Sequence, residues 1–583
     1  MDPVTGYRSL YADKNKAHPS AQTEGASGPE IDELSLEMDD KELISLKKEW
    51  MSLWKEKSGD LDKKRKRNLE YWEGKRFVWM EDETERKPLA DNIVFEAVES
   101  FLPIVTKKTP EPMVWSDNTP EGQSLSRDVQ RMLEYLSDVL RMRLVVKQAT
   151  RHWSLSYLGC VKLGWNAIED EIAILPVHPQ DLILDARGTI ENGKYTGKYV
   201  GEYRCDTLAN MLQRFPEKKD YLNEKYGKKG TEIKFIEWWT DDYVFWTVDN
   251  EVLGKSKNPH WNYPGETTSV DDYGEEISKA TPGYNHFKVP KAPYVFLSVF
   301  NTGKNPYDDT SLVEQILRLQ DMVNKRLKQI DKNADNTNSG LALSDAFTDE
   351  EASQAARAFR RGDSIRVPRG DVNQAVMRTT GPALPNFVYE SLLDYRARAL
   401  NIFGVSGLTA QGLRETETVR GKILVKAQDA DRMSYVVDHL EQFSDQIYNW
   451  MVQLIAVYYD EPHTAAILGK EKSQEFITLT NSDLDRKLVV SVKEGSLIPR
   501  DSLTQRNEAI DLFTAGALSP IELFEKLDFP NPRESAANLV MWQTNPQGAV
   551  GLPAPAPTPA MPPTETEQVA AETEQAFQQI PAI

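Results

Sequence analysis

Between Ser311 and Asn333 the chain reads SLVEQILRLQDMVNKRLKQIDKN, with no proline or glycine, and Leu312, Ile316, Leu319, Val323, Leu327 and Ile330 follow one another at steps of four, three, four, four and three. That spacing predicts a helix with one apolar stripe and polar faces elsewhere, suited to lying beside a partner helix. The same periodicity predicts helix across residues 39–80, with Leu43, Leu46, Trp50 and Trp54 on the stripe and the basic run Lys63 to Arg67 off it as a solvated face. Further helices are expected over NIVFEAVESFLPIV and, as one element, from Leu125 to Gly159. From Cys160 the texture changes to short β-branched and aromatic runs, and those flanking Thr240 to Asp242 predict a hairpin, with VDNEVLG as a further turn.

Beyond Asn333 a small α/β segment with a short helix, Asp349 to Arg361, separates the first long helix from a second over LPNFVYESLLDYRARALNIFG. After a break at GVSGLTAQGLRETE, helix resumes from Thr418 to Tyr459, a length on the order of 60 Å at 1.5 Å per residue. A strand and short helices follow, one opened by Ser519-Pro520. Residues 1–38 and 545–583 lack periodicity and are expected to be a mobile arm and a disordered acidic tail rich in Pro and Ala. The expected class is α+β, mainly helical.

Composition narrows the functions. The 583 residues are 40% hydrophobic and include 13 Trp and 22 Tyr, enough for several cores. No apolar run reaches the roughly 18 residues of a membrane span, and the first residues form no apolar leader, so a soluble protein made in the cytoplasm is expected. Cys160 and Cys205 are too few and too far apart for a disulfide framework or zinc site, which points to a reducing compartment. The net charge of −20 opposes tight, nonspecific capture of nucleic acid along the whole chain.

Catalytic signatures are incomplete. GKYTGKY, Gly193 to Tyr199, has three residues between its glycines instead of four, and Tyr199 where a phosphate loop needs Ser or Thr. DKNADNTNSGLA starts with calcium-loop spacing, yet its sixth position is Asn336 and its twelfth Ala342. HExxH and GxSxG do not occur, and acidic pairs such as Asp241-Asp242 and Asp308-Asp309 read as turns. The expectation is a non-enzyme with no catalytic residue, cofactor or metal.

The order of parts resembles the portal proteins of tailed double-stranded DNA bacteriophages. NPYDDTSLVEQILRLQDMVNKRLKQ is similar to the family's entry into its first stem helix, and YWEGKRFVW followed by DNIVFEAVESFLPIVTKKTPEPMVW to the opening of its wing. DYRARALNIFGVSG resembles the end of the second stem helix, and VSVKEGSLIPRDSLTQRNEAIDLFTAGALSPIELFEKLDFPN the last wing strand and crown, so that the resemblance covers residues 40–540. It implies a dodecameric ring around a DNA channel. Residues 1–38 are then an arm, 39–310 the wing, 311–335 the first stem helix, 336–384 the clip, 385–403 the second stem helix and 404–417 the tunnel loop. Residues 418–498 supply the long helix and last part of the wing, 499–544 the crown, and 545–583 the tail.

The implied function is that of a gate at one capsid vertex, through which a terminase motor packages duplex DNA and which later retains and releases it. Implied partners are further copies of the chain, the terminase large subunit, major capsid and scaffolding proteins, and head–tail adaptor or tail proteins, with no membrane. The implied location is the virion, after assembly in the host cytoplasm. Candidate DNA-facing residues are Lys325, Arg326, Lys328, Lys332, Gln411 and Arg414, and candidate docking residues of the clip are Arg357, Arg360, Arg361, Arg366 and Arg369. Two competing readings are a non-viral helical scaffold, which would be a stable monomer, and a nuclease or NTPase accessory of packaging, which would turn over with metal or ATP.

Overall fold

The computed structural model describes residues 34–75, 90–167, 169–191, 193–227, 232–263, 265–270, 276–281, 284–337, 340–345, 347–361, 363–367, 371–379, 384–404, 419–459, 463–468, 474–480, 483–484, 487–493, 502–527, 529 and 532–544. The chain is α+β and mainly helical, and it divides into two compact units, Met1–Pro499 and Arg500–Ile583.

The helix expected over 39–80 is two helices, α1 (Asp40–Ser58) and α2 (Leu61–Trp72). They part at Gly59, whose φ of +52° is a backbone state that L side chains rarely adopt. The basic run on α2 is exposed as expected at Lys63, Lys64 and Lys66, but Arg65 is only 1% exposed and donates to the carbonyls of Ser156 (3.1 Å) and Pro179 (2.9 Å). Burial lowers its pKa to about 10. Helix α3 (Ile93–Val105) buries seven apolar residues and leads to strand β1 (Pro112–Trp115).

The single helix expected from Leu125 to Gly159 is also two, α4 (Pro120–Val139) and α5 (Met142–Ser156). Arg141 between them takes the left-handed conformation at φ 51°, which reverses the chain without glycine or proline. The turn brings Val129, Leu133 and Leu136 of α4 into one core with Val146, Ala149 and Trp153 of α5.

Strands β2 (Gly159–Asn166) and β3 (Glu171–Pro176) join a later strand in a three-stranded antiparallel sheet. Strand β4 (Leu182–Leu184) precedes the short pair β5 (Ile190–Glu191) and β6 (Lys194–Tyr195), and β7 (Val200–Asp206) precedes α6 (Leu208–Arg214) and α7 (Lys219–Tyr226). Strands β8 (Ile233–Trp239) and β9 (Tyr243–Val248) form the expected hairpin, and β10 (Glu251–Lys257) completes a five-stranded antiparallel sheet ordered β10-β9-β8-β7-β4. One face of α1 closes it, with Trp50 stacked on Tyr199 at 4.2 Å and tilted against Trp238 at 5.4 Å. After the hairpin β11 (Gly265–Val270) and β12 (Glu276–Thr281), β13 (Tyr294–Leu297) pairs with β2.

Helix α8 (Leu312–Thr337) is followed by β14 (Gly340–Leu343), α9 (Asp349–Arg361), α10 (Val372–Ala375), β15 (Val376–Thr379) and α11 (Asn386–Ile402). Strands β14 and β15 pair antiparallel, Leu341 opposite Arg378, so α8 and α11 form a helical hairpin with a small α/β unit at its tip. The 40-residue α12 (Val419–Tyr458) then passes Phe443, Ile447, Met451 and Ile455 through the helical core. Strands β16 (His463–Leu468) and β17 (Gln474–Leu479) form a hairpin, and β18 (Val489–Val492) pairs antiparallel with β1, residue 489 opposite 115.

The second unit contains α13 (Ser502–Thr514), α14 (Pro520–Lys526) and α15 (Pro532–Thr544). Ser519 opens α14 as expected from the sequence: the Ser519 amide donates to Glu522 Oε2 at 2.8 Å, and the Glu522 amide to Ser519 Oγ at 3.3 Å.

Candidate functional site

The hairpin of α8 and α11 holds most of the described candidate residues, and its root is built from buried polar groups. Asp309, read from sequence as a turn residue, accepts hydrogen bonds from Trp153 Nε1 (2.8 Å), Ser298 Oγ (2.9 Å) and the amides of Val299 (2.8 Å), Phe300 (3.2 Å) and Thr310 (2.6 Å). Burial still raises its pKa against those donors. Two residues on, Ser311 donates to the Ser154 carbonyl and accepts from Asn68. Glu314 takes the Tyr157 hydroxyl at 2.7 Å and Arg67 at 2.8 Å. Burial pushes Glu314 up, but these two donors outweigh it and leave the carboxyl below its ordinary range. Ser58, Asp60, Lys64, Tyr307, Asp308 and Glu314 help to line an open cleft of about 700 Å³ at this corner.

One turn further, α8 grips the start of α3. Gln320, fully buried, accepts from the amides of Ile93 (2.8 Å) and Val94 (3.1 Å) and donates to the Asp91 carbonyl. Asn324 accepts from the Asp91 amide at 3.2 Å. These side chains serve amide groups that a helix start leaves without intrahelical partners. From α11, Arg396 bridges Asp91 and Glu96, which keeps its guanidinium charged despite burial. The stripe expected on α8 with polar faces all around it is therefore incomplete. Val313, Leu317, Gln320 and Asn324 are buried beside Leu312, Ile316 and Val323, because the first half of the helix is enclosed on a wider arc. Leu319 and Leu327 are only partly buried.

Past Asn324 the environment changes. Lys325 and Lys332 are exposed, Arg326 and Lys328 are half-buried, and Arg326 Nη1 donates to Gln329 at 2.7 Å. Lys325 and Lys332 sit seven residues apart on one side of the helix, about 10.5 Å along it. Arg318, also exposed, extends this row by another seven residues. Sequence reasoning missed it, although the seven-residue spacing was available as a signal.

On the hairpin's outer surface Phe387, Tyr389 and Leu393 of α11 and Met322 of α8 are 59%, 48%, 56% and 45% exposed. At the tip, Arg357 and Arg366 are exposed. Arg360 and Arg361 lie on α9, but their side chains fall outside the described residues, as do Arg369, Gln411, Arg414 and the whole expected tunnel loop except Gly404.

A second polar cluster joins β7 and β8 of the five-stranded sheet to β2 and β13 of the three-stranded one and was not anticipated from sequence. Lys162 Nζ contacts Glu202 Oε2 (2.8 Å) and Glu237 Oε1 (2.9 Å), Arg204 contacts Glu237 Oε2 (3.2 Å), and Tyr294 donates to Glu202 (2.7 Å). Burial raises Glu237, but Lys162 and Arg204 overcome it and keep the carboxylate ionised. Opposite charges saturate one another there, as a structural ion network requires. Among the described residues no group of three or more His, Cys, Asp or Glu is placed to hold a metal ion, and no helix is long and apolar enough to cross a membrane. Comparison with models of known protein families finds none that matches the chain, and a search of curated proteins finds no match.

Proposed function

We propose that the chain is a portal protein, one subunit of a ring through which duplex DNA enters and leaves a viral capsid. The observation that carries this reading is the hairpin of α8 and α11, which bears a small α/β unit at its tip and exposes Tyr389 and Leu393, four residues apart on one side of α11. Apolar groups so exposed on a single chain favour burial against another molecule. In a ring, that molecule is the neighbouring subunit, and the hairpins together form the channel wall. The 40-residue α12 following the expected tunnel loop suits the long helix of such a subunit.

The charge balance suits passage of DNA without capture. Twelve copies carry about −240 before counterion binding, which repels phosphates, while the row Arg318, Lys325, Lys332 gives each subunit a few positioning cations. Exposed Arg357 and Arg366 suit docking of a terminase motor, and later of adaptor or tail proteins, at the tip.

Negative-stain electron microscopy of the purified chain, with rotational classification, tests the architecture. Rings with a hole of roughly 20 Å or more support it, and a chain that stays monomeric at high concentration and with scaffolding protein present refutes it. A packaging assay on rings carrying Lys325→Ala, Lys328→Ala, Lys332→Ala and Arg414→Ala tests the cations. Intact rings with impaired retention or packaging are expected, and unchanged packaging removes these residues from the mechanism.

A further inference from the structure

The corner where α4 turns into α5 carries a feature that the ring reading does not use. Val139 and Leu144 are each 50% exposed. Around them stand Arg141, Arg143 and Lys147 of the turn and α5, with Lys107 and Lys108 from the loop between α3 and β1. Arg143 Nη1 donates to the Lys107 carbonyl at 3.3 Å, which holds that loop against the first turn of α5. The left-handed backbone of Arg141 fixes the reversal that brings Val139 and Leu144 to one corner.

Several cations of this acidic chain are tied to carboxylates, among them Arg67 to Glu314, Arg151 to Glu99, and Lys162 to Glu202 and Glu237. None of the five cations at the corner forms an ion pair with a described residue. Asp138, exposed beside Val139, offsets one of them, and the remaining local excess of positive charge on a chain of net charge −20 complements an anionic partner.

We propose that this corner docks an acidic, partly apolar segment of a partner protein. Such a segment places carboxylates against Lys107, Lys108, Arg141, Arg143 and Lys147 while its apolar side chains cover Val139 and Leu144. A phosphate backbone uses the cations but gains nothing from the two aliphatic groups, so the combination favours an amphipathic peptide over nucleic acid. The inference stands apart from the ring reading and is tested apart from it.

Fluorescence anisotropy on the full chain supplies the test, with a fluorescein-labelled synthetic peptide of repeated Glu-Glu-Leu as probe. Polyglutamate and a short DNA duplex serve as comparators. The triple variant Arg141→Glu, Arg143→Glu, Lys147→Glu is expected to bind the probe roughly tenfold or more weakly. The double variant Val139→Ser, Leu144→Ser is expected to weaken the probe about fivefold and to leave polyglutamate unchanged. Circular dichroism of both variants should match the parent, since all five positions are on the surface. The proposal is overturned by absence of probe binding, by equal binding to the charge-reversed variant, by indifference to the aliphatic pair, or by duplex DNA that binds as tightly and is lost with the same charges. None of these results bears on whether rings form.

Discussion

Replacing Gln320 with Leu removes the side chain that joins the hairpin to the start of α3. It leaves the Ile93 and Val94 amides and the Asp91 carbonyl without their present partner. Water cannot readily replace it, because Gln320, Ile93 and Val94 are all fully buried. A buried polar group left unpaired costs about 1–3 kcal/mol. Taking the low end for the two fully buried amides, since Asp91 is half-buried, gives about 2 kcal/mol, or opening of the α3 start about thirtyfold more often. Hydrogen–deuterium exchange on peptides spanning residues 91–98 measures this directly, with Gln329→Leu, exposed on the same helix, as the control. Gln320→Glu keeps an acceptor for both amides but loses the donor to Asp91, and should fall between the two. Exchange in Gln320→Leu within about threefold of the parent would refute the reasoning, because water or a backbone shift would then satisfy these groups.

Three further outcomes follow from buried charge and exposed apolar surface. His152 is held down to about 4 by burial and then by neighbouring His178. An unfolded chain takes up that proton below about 6.5, so the stability that neutral His152 contributes should be lost as pH drops from 6.5 toward 4, with no further change from this group below. Urea midpoints across that range should fall less steeply in His152→Gln, with the remaining slope due to His178, His260 and His286, which burial also holds down, and a slope parallel to the parent's would exclude His152. Lys162→Met strands Glu202 beside Glu237 and should cost about 3–5 kcal/mol by urea titration, with part recovered by adding Glu202→Gln; equal stability in both variants would show that the network carries no net coupling. Leu393→Asp should leave circular dichroism unchanged and shift assemblies to smaller species in sedimentation, whereas intact rings would remove this flank of α11 from the subunit contact.

Local pattern was readable wherever local forces decide. Helix α9 begins and ends at the residues expected, α12 within one residue at each end, and Pro385 and Phe403 flank α11. The reading failed where a distant segment supplies the reason. Gly59 stood in plain view, but the periodic apolar residues on either side of it outweighed it. Arg141 gave no warning at all, since its left-handed turn is held by packing of the helices on both sides. Arg65 looked solvated among its basic neighbours because the carbonyls it serves, Ser156 and Pro179, lie about a hundred residues away in sequence. Gln320 and Asn324 were assigned to a wet face for the same reason.

These misread positions divide α8 in a way its apolar spacing alone conceals. Up to Asn324 the helix is an extension of the helical core, locked by polar contacts that tolerate little change. From Lys325 onward its principal packing partner is α11, and exposed cations replace buried amides within one residue. A lever with a fixed root and a lightly supported shaft results, and the boundary assigns different consequences to neighbouring substitutions. Changes at the buried positions from Ser311 to Asn324 act on the fold and so on every property measured afterward. Changes at Lys325 and Lys332 cost less than about 0.5 kcal/mol, as expected of surface positions. Any effect they have on packaging must therefore come from what passes or contacts the shaft. Unfolding data on Lys325→Ala and Lys332→Ala thus decide whether a packaging defect in those variants speaks for a channel at all. A loss of 2 kcal/mol or more would make the defect a folding effect and withdraw the cations as support for it.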